Sequence, residues 1–378
     1  MLSHPDVVRA TLPAVRAHAV QITDRFYAAL FAAHPELLNV FNQSNQAGGR
    51  QSAALASAVV AFAEHLLDPR APFTPVAERV AHKHVSLGIR AELYPVVGRH
   101  LMAAVGEVLG DAVTPAVAAA WDEVYWLLAC RLIAAEARLY QLGGVDPAQS
   151  WRRWRVAKRQ VEAVAAVSFT LVPDDGGSVP DFLPGQYVSV AVDLPDGRRR
   201  PRQYSLSQGP GRGSLRITVR RIGVVSGFLH DLPADAPVLV GPPAGENTLD
   251  AGDGPVLLVS AGIGITPAAS MLDHIARVQP TRPVVVAHAE RSADRHALRA
   301  EVEHLTSGLT DATVLTRYSA TDGRLDVDAI PLPHDVTAYL CGPVEFMRDM
   351  RSGLLRRGVP DERVRYEVFG PGMLDSAL

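Results

Sequence analysis

Arg202-Gln203-Tyr204-Ser205-Leu206-Ser207 is the stretch on which the reading of this chain turns. It follows the turn Arg200-Pro201 and has the composition of a strand bearing a guanidinium, an aromatic ring and a hydroxyl. A guanidinium can fork onto a pyrophosphate, a tyrosine ring can lie against a flat heterocycle, and a serine hydroxyl can bond a ring nitrogen. That set suits a flavin. An ordinary β-strand could carry the same six residues, so their companions decide. Upstream stands Pro184-Gly185-Gln186-Tyr187; downstream stand Gly223-Val224-Val225-Ser226 and then Gly262-Ile263-Gly264-Ile265-Thr266-Pro267.

The last of these motifs organises the C-terminal third. An apolar run over residues 255–260 reads as a buried strand, the two glycines as a turn, and the segment up to Val278 as an amphipathic helix. A Gly-x-Gly alone says little, but in this context the backbone amides at the helix start face a phosphate. Pro267 stands where the common dinucleotide fingerprint has its third glycine. Strands over 283–288, 312–316, 337–341 and 364–369 alternate with helices, which predicts a parallel sheet. After the second strand come Glu290-Arg291-Ser292 and Arg295. An acid there favours the ribose hydroxyls of NADH, whereas arginine and serine suit the extra phosphate of NADPH. Both stay open, with the acid tipping the expectation towards NADH.

Between residues 155 and 240 the period changes to two. Leu215, Ile217 and Val219 alternate with Arg216, Thr218 and Arg220, the pattern of a half-buried antiparallel strand. Strand-like runs over 161–172, 186–192, 203–207 and 238–240, separated by Pro and Gly turns, predict a small barrel. A short helix over 227–232 would present its start, at 223–226, to a pyrophosphate. Gly143-Gly144-Val145-Asp146-Pro147 serves as the linker to what precedes.

The first 140 residues are alanine-rich and helical, with breaks near Ala47-Gly48-Gly49, Asp68-Pro69, Tyr94-Pro95 and Thr114-Pro115. Ser3 with Asp6 has the form of a capping box, and Pro115 suits a first helical turn. Polar residues on the apolar faces are the informative ones. Val76, Val80, His84 and Leu87 share a face, so His84 points inward and His82, about 200° away, should meet solvent. Tyr27 shares a face with Val20, Thr23, Leu30 and Phe31. Gln51 lies above Leu55, Ala58 and Phe62. The stripe Trp121, Tyr125, Leu128 and Leu132 continues to Glu136. A buried carboxylate requires a partner, and His84 can be one. An inward histidine on its own is more often a hydrogen-bonded core residue than a ligand, but four inward polar residues in one small domain are hard to dismiss as accidents.

Composition sets the bounds. At 378 residues the chain exceeds one typical core and implies roughly two or three domains. With 48% hydrophobic and 20% charged residues and a net charge of -3, it has the make-up of a globular protein without a nucleic-acid or membrane-surface bias. The arginines of Trp151-Arg152-Arg153-Trp154-Arg155 and of positions 198–200 are too short as clusters to change that. Cys130 and Cys341 give no disulfide framework, and a reducing cytoplasm is expected. The N-terminus lacks the layout of a signal peptide, and no apolar run approaches the roughly 18 residues of a membrane span.

Taken in order, the motifs from Pro184 to Pro267 resemble the flavin-plus-nicotinamide module of the ferredoxin reductase family. Phe26-Tyr27, Val40-Phe41-Asn42-Gln43-Ser44-Asn45-Gln46, Gln51, Lys83-His84-Val85-Ser86 and Tyr94-Pro95-Val96-Val97-Gly98 closely resemble the haem domain of the flavohaemoglobin family. The resemblance covers nearly the whole chain. It implies an all-α globin domain over 1–142, an antiparallel β-barrel FAD domain over 151–252 and a parallel-sheet α/β NAD(P)-binding domain over 253–378.

By the same resemblance His84 is the ligand of a haem b iron and Phe41 packs on the haem. Tyr27 and Gln51 form the pair that hydrogen-bonds dioxygen, Tyr94 and Glu136 surround His84, and Lys83 faces the flavin domain. A carboxylate on the far ring nitrogen makes a histidine more electron-donating, which suits redox chemistry on oxygen. Arg202 and Gln203 would hold polar groups of FAD, Tyr204 would lie on its ring, Ser205 would bond near its reactive nitrogen, and Tyr187, Gly223 and Ser226 would complete the site. Gly262, Gly264, Thr266 and Pro267 would cradle NADH or NADPH, with Cys341, Gly342 and Pro343 on the nicotinamide side. Glu367 and Phe369 would approach the flavin. Two positions depart from the family: Asn247 follows Glu246 where an aromatic is common, and Val368 stands where a cysteine is common. The first of these departures, at Asn247, implies that the adenine end of FAD is held differently.

The implied activity is that of a nitric oxide dioxygenase, with electrons passing from NAD(P)H through FAD to haem. The implied partners are dioxygen, nitric oxide and the nucleotide, bound by a cytoplasmic monomer with no stable membrane association and no nucleic acid. A peroxide or oxygen reductase and a haem-based gas sensor or carrier are the alternatives. A complete reductase argues against the sensor, which needs no continuous electron supply.

Overall fold

The computed structural model describes residues 2–39, 50–194, 197 and 199–369, the side chains of Arg50 and Gln51 excepted. Phe41 with the whole 40–46 motif, the glycines at 48 and 49, and the Gln51 side chain therefore lie outside the described residues. The chain divides into two compact units, one built mainly from residues 1–150 and one built mainly from 151–194 and 202–369.

The first unit is all helical: α1 (Pro5–Ala33), α2 (Arg50–Leu67), α3 (Thr74–Ser86), α4 (Tyr94–Leu109) and α5 (Pro115–Leu142). Helix α1 packs on α2 and α4, and α3 packs on α5. Phe26, Leu30, Phe62, Phe73, Trp121 and Val124 are almost wholly buried in their shared core. Each such side chain contributes roughly 1.5–3 kcal/mol of hydrophobic stabilisation. Pro115 does open α5, and the Thr114 hydroxyl accepts from Val117 N at 3.3 Å. The capping box expected at Ser3 and Asp6 does not form. Ser3 donates its backbone N–H and its hydroxyl to Glu123, the hydroxyl at 2.8 Å, while Asp6 pairs with Arg9. A long-range carboxylate has displaced the local cap. Val20, placed on the inner face of α1, is half exposed.

The second unit contains two sheets. The first has six strands, β1 (Arg152–Ala163), β2 (Ala166–Pro173), β3 (Tyr187–Asp193), β4 (Arg199–Ser205), β5 (Leu215–Arg220) and β6 (Pro237–Val240), in the order β4-β3-β6-β1-β2-β5. Its edges meet: Leu206 bridges Ile217, and Ser207 N donates to Arg216 O at 2.8 Å, which closes a barrel around Trp154, Phe169, Leu206, Leu215 and Ile217. The run over 161–172, read as one strand, is instead a hairpin. The chain turns back at Val164-Ala165, where Ala165 adopts φ +60°. Helix α6 (Val224–Asp231) starts three residues before the position expected for it.

The second sheet is parallel, with β7 (Val256–Ala261), β8 (Val284–Glu290), β9 (Ala312–Tyr318), β10 (Thr337–Cys341) and β11 (Val364–Glu367) in the order β11-β10-β7-β8-β9. Helices α7 (Ile265–Val278), α8 (Arg299–Ser307) and α9 (Val344–Arg356) connect them. Polar clamps join this sheet layer to the barrel. The buried Asp273 carboxylate accepts Gly209 N at 2.7 Å and pairs with Arg212, and Arg216 forks onto Glu301 at 2.6 and 2.7 Å.

Candidate functional site

Helix α3 has two faces that sequence periodicity alone would not separate. Ala77, Ala81 and Val85 enter the core. The stripe Val76, Val80, His84 and Leu87, expected inward, is half-buried, with the His84 side chain 30% exposed. That stripe flanks the core and is only partly covered. The expectation that His82 meets solvent also fails. It lies one turn before the fully buried Ser86, and burial pushes its pKa down to about 4.

The His84 ring is oriented from behind. Its Nδ1 lies 2.7 Å from Glu136 Oε1 and 3.1 Å from the Tyr94 hydroxyl, and Tyr94 donates to the same Glu136 oxygen at 2.6 Å. Glu136 is 3% exposed, so its charge depends on these donors. Burial first, and then the adjoining carboxylate, raise the Tyr94 phenol well above its usual range, so it stays protonated and donates. Three elements meet here: α3 brings His84, the start of α4 brings Tyr94, and the last turns of α5 bring Glu136.

Tyr125, assigned only to the core stripe of α5, does more. Its hydroxyl donates to the Tyr94 carbonyl at 2.5 Å, and its ring occupies the space over Gly98, where an added Cβ would come within 2.5 Å of it. The signal was the glycine one turn after Tyr94, a gap sized for a ring. On α1, Tyr27 is buried and stacks on Phe31 at 5.7 Å. Lys83 is half-buried beside His84.

Nitrogen and oxygen donors decide which groups this site fits. Among the described residues no cluster of three His, Cys, Asp or Glu side chains could hold a bare metal ion. A single histidine with Nδ1 committed and Nε2 facing away fits an iron whose remaining ligands come from a macrocycle.

In the barrel, Arg202, Gln203, Tyr204 and Ser205 stand together on β4. Tyr204 is half-buried, and burial raises its phenol above the usual range. Gln203 donates to Ser189 Oγ at 2.9 Å. Ser205 is 4% exposed and its Oγ, among the described residues, has no hydrogen-bond partner. Such an atom carries a desolvation penalty unless something else bonds it, which is the observation that fits a polar heterocycle on this strand. Tyr187 is buried, with its ring against Gly245, which adopts φ +121°. At the start of α6 the Ser226 hydroxyl accepts the Ile222 and Gly223 N–H groups, each at 2.9 Å, so it organises the turn. Asn247 is buried and lines a small cavity with Pro267, Met271 and Cys341, turned into the unit rather than outward.

The glycine turn lies between β7 and α7. Gly262 adopts φ +56°, a left-handed conformation natural to glycine. Gly264 is required for closeness: an added Cβ would lie 2.3 Å from the Cys341 carbonyl oxygen. Thr266 is buried, its hydroxyl donating to Ile263 O at 3.0 Å, so it supports the turn from behind. Cys341 pairs in register with Ser260 on one side and Glu367 on the other. Burial, then Glu367, pushes its thiol up. Gly342 packs against Ala261, and Phe369 is half exposed after β11.

Two features here had no sequence signal, because strand pairing and the path of the loops, not side-chain period, bring their partners together. Arg220, at the end of β5, donates to Glu290 at the end of β8 at 2.6 Å. His288 and His296 stack at 4.2 Å, with Ser260 on His288 and Tyr318 on His296. Burial above all pushes His288 down to about 3 and His296 to about 4. The unfolded chain, whose histidines titrate near the ordinary value, takes up these protons first. Their stabilising effect is complete above about pH 6.5 and is lost as pH falls towards 4 and then 3. The melting temperature of the second unit should therefore drop between pH 7 and pH 5, and His296→Phe should flatten that acid limb. Parallel pH profiles for the two proteins would refute the assignment.

Among the described residues no helix is long and apolar enough to cross a membrane. Two family profiles match, Globin over residues 24–131 and Oxidoreductase NAD-binding domain over residues 258–352. The chain is 44% identical to the flavohaemoprotein of Bordetella parapertussis over 393 aligned positions, covering 97% of each. Its fold is similar to that of a flavohaemoglobin from Malassezia yamatoensis with bound FAD and haem, at a TM-score of 0.90 and 32% identity over 97% of this chain and 98% of that one. The second unit is similar to the FAD/NAD-binding domain of nitric oxide dioxygenase from Vibrio cholerae, at 36% identity and a TM-score of 0.55 over 58% of this chain and 99% of that one.

Proposed function

Because the chain belongs to the flavohaemoprotein family, we propose that it is a nitric oxide dioxygenase, converting nitric oxide and dioxygen to nitrate at the expense of NADH or NADPH. The observation that carries this reading is the 2.7 Å hydrogen bond from His84 to a buried carboxylate, in a chain that also contains an oxidoreductase NAD-binding domain. An electron-donating histidine is of little use to reversible oxygen storage and of much use to redox chemistry. When bound, nicotinamide, FAD and haem b supply that chemistry, the nicotinamide giving electrons as a pair and the iron taking them singly through the flavin.

The chain's own residues hold and orient these groups. His84 would ligate iron through Nε2, with Glu136 and Tyr94 fixing the ring and its proton at Nδ1. The half-buried Val76, Val80 and Leu87 offer an apolar wall beside it. Phe41 would pack on the haem, Tyr27 and Gln51 would donate hydrogen bonds to dioxygen, and Lys83 would set the local field. Arg202, Gln203, Tyr204, Ser205, Tyr187, Gly223 and Ser226 would hold FAD, with the unpartnered Ser205 hydroxyl bonding its ring. Gly262, Gly264, Thr266 and Pro267 would cradle the nucleotide, with Cys341, Gly342, Pro343, Glu367 and Phe369 on the side of its reactive end.

The test is nitric oxide consumption in aerated buffer with NADH, following nitrate, on protein whose spectrum contains both haem and flavin. Stoichiometric nitrate supports the reading. Prompt haem reduction with slow nitric oxide loss would replace it with peroxide or oxygen reduction. Tyr27→Phe removes one donor and should lower the oxygen affinity of the reduced protein by about tenfold; unchanged affinity would remove Tyr27 from the role.

A further inference from the structure

The acid at the end of β8 is not a bare one. Glu290 has a side chain 6% exposed, and its Oε2 accepts from Arg220 at 2.6 Å while its Oε1 accepts the Arg291 N–H at 2.8 Å. Arg220 comes from the barrel and is itself only 25% exposed. The same guanidinium lies over the glycine turn, where a Cβ added to Gly262 would sit 3.0 Å from its Nη1. After Glu290 the chain continues with the exposed Arg291, the half-buried Ser292 and, three residues further on, the half-buried Arg295.

A carboxylate at the end of the second strand of such a sheet accepts the ribose hydroxyls of an adenosine and, when uncompensated, repels a 2′-phosphate. Here the carboxylate is neutralised before any nucleotide arrives. We propose that Arg220 determines nucleotide selectivity from the barrel side, by cancelling the charge of Glu290 so that the site admits a nucleotide carrying a 2′-phosphate as well as one without it. Glu290 keeps lone pairs for a ribose hydroxyl, while Arg291, Ser292 and Arg295 leave the rim hospitable to a phosphate. This rests on the reading of the glycine turn as the nicotinamide-nucleotide site.

The experiment measures dissociation constants of 5′-AMP and 2′,5′-ADP on the full-length, flavin-loaded protein, together with the NADH to NADPH ratio of kcat/KM. Arg220→Gln leaves the carboxylate uncompensated and should shift both ratios towards the unphosphorylated ligand by about tenfold or more. Glu290→Gln leaves the guanidinium uncompensated and should shift them the other way. Opposite shifts establish the proposal. Equal weakening of both ligands in both variants, with unchanged ratios, would mean the pair only fastens the two sheets together and would overturn it. If Arg220→Gln yields no folded protein, Glu290→Gln decides alone by the same criterion. Wild-type protein that binds neither ligand would defeat the nucleotide-site reading itself, an outcome distinct from intact binding with unmoved ratios.

Discussion

Glu136→Gln should lower the nitric oxide turnover proposed above by about 10- to 100-fold, the usual effect of removing the carboxylate behind a metal-bound histidine, which is the role proposed for His84. The substitution keeps the size of the side chain and a carbonyl oxygen able to accept from both His84 Nδ1 and Tyr94, whose present distances are 2.7 and 2.6 Å. Only the charge goes. The His84 ring should then donate less to the iron, so the iron–histidine stretching frequency should fall and the haem midpoint potential should rise. A merely structural role for Glu136 would leave both signals in place while lowering stability. Because Glu136 is 3% exposed, the amide also relieves a buried charge, and the variant should fold. Unchanged frequency and potential, whatever the turnover, would sink the assignment. Tyr94→Phe serves as the companion variant: it removes a donor to Glu136 without altering the carboxylate, and should move the same signals less.

Gly264→Ala should destabilise the second unit by about 3 kcal/mol and abolish haem reduction by NADH. The added methyl would lie 2.3 Å from the Cys341 carbonyl oxygen, 2.6 Å from its carbon and 2.9 Å from Gly342 N. All three are backbone atoms at the end of the central strand pair, so no side chain can rotate to make room. The turn must lift away from β10, and the amides it presents move with it. Calorimetry should record a drop of roughly 6–12 °C for a unit of this size, confined to the transition of the second unit. The Soret spectrum of the globin unit should stay unaltered. Normal reduction by NADH with an unchanged melting temperature would mean that the close approach is not real.

His84 and Glu136 were each legible separately, because helical period places an inward polar residue in any apolar stripe, whereas Tyr94 entered only through the family resemblance. Their grouping was expected, but the convergence of both donors on the single oxygen Glu136 Oε1 was not. It depends on how α3, α4 and α5 cross, and crossing angles come from ridges and grooves supplied by all three helices at once. For the same reason the stripe of His84 read as core, although it is half-buried: periodicity reports which residues share a face, not what covers it. The failed cap at Ser3 has the same origin, since Glu123 is distant in sequence and adjacent in space.

Side-chain period and backbone preference within about a dozen residues account for the succession of helical, antiparallel and parallel segments and for the glycine turn, while the site motifs were legible through their resemblance to the family. Only the tertiary structure decided the barrel closure at Leu206 and Ile217, the unpartnered Ser205 hydroxyl, the His288–His296 stack and the Arg220–Glu290 pair. Each of these depends on how strands and loops pack against one another, which side-chain period does not report. Their energies, whether of desolvation, charge neutralisation or ring contact, exist only at distances that the packed fold creates.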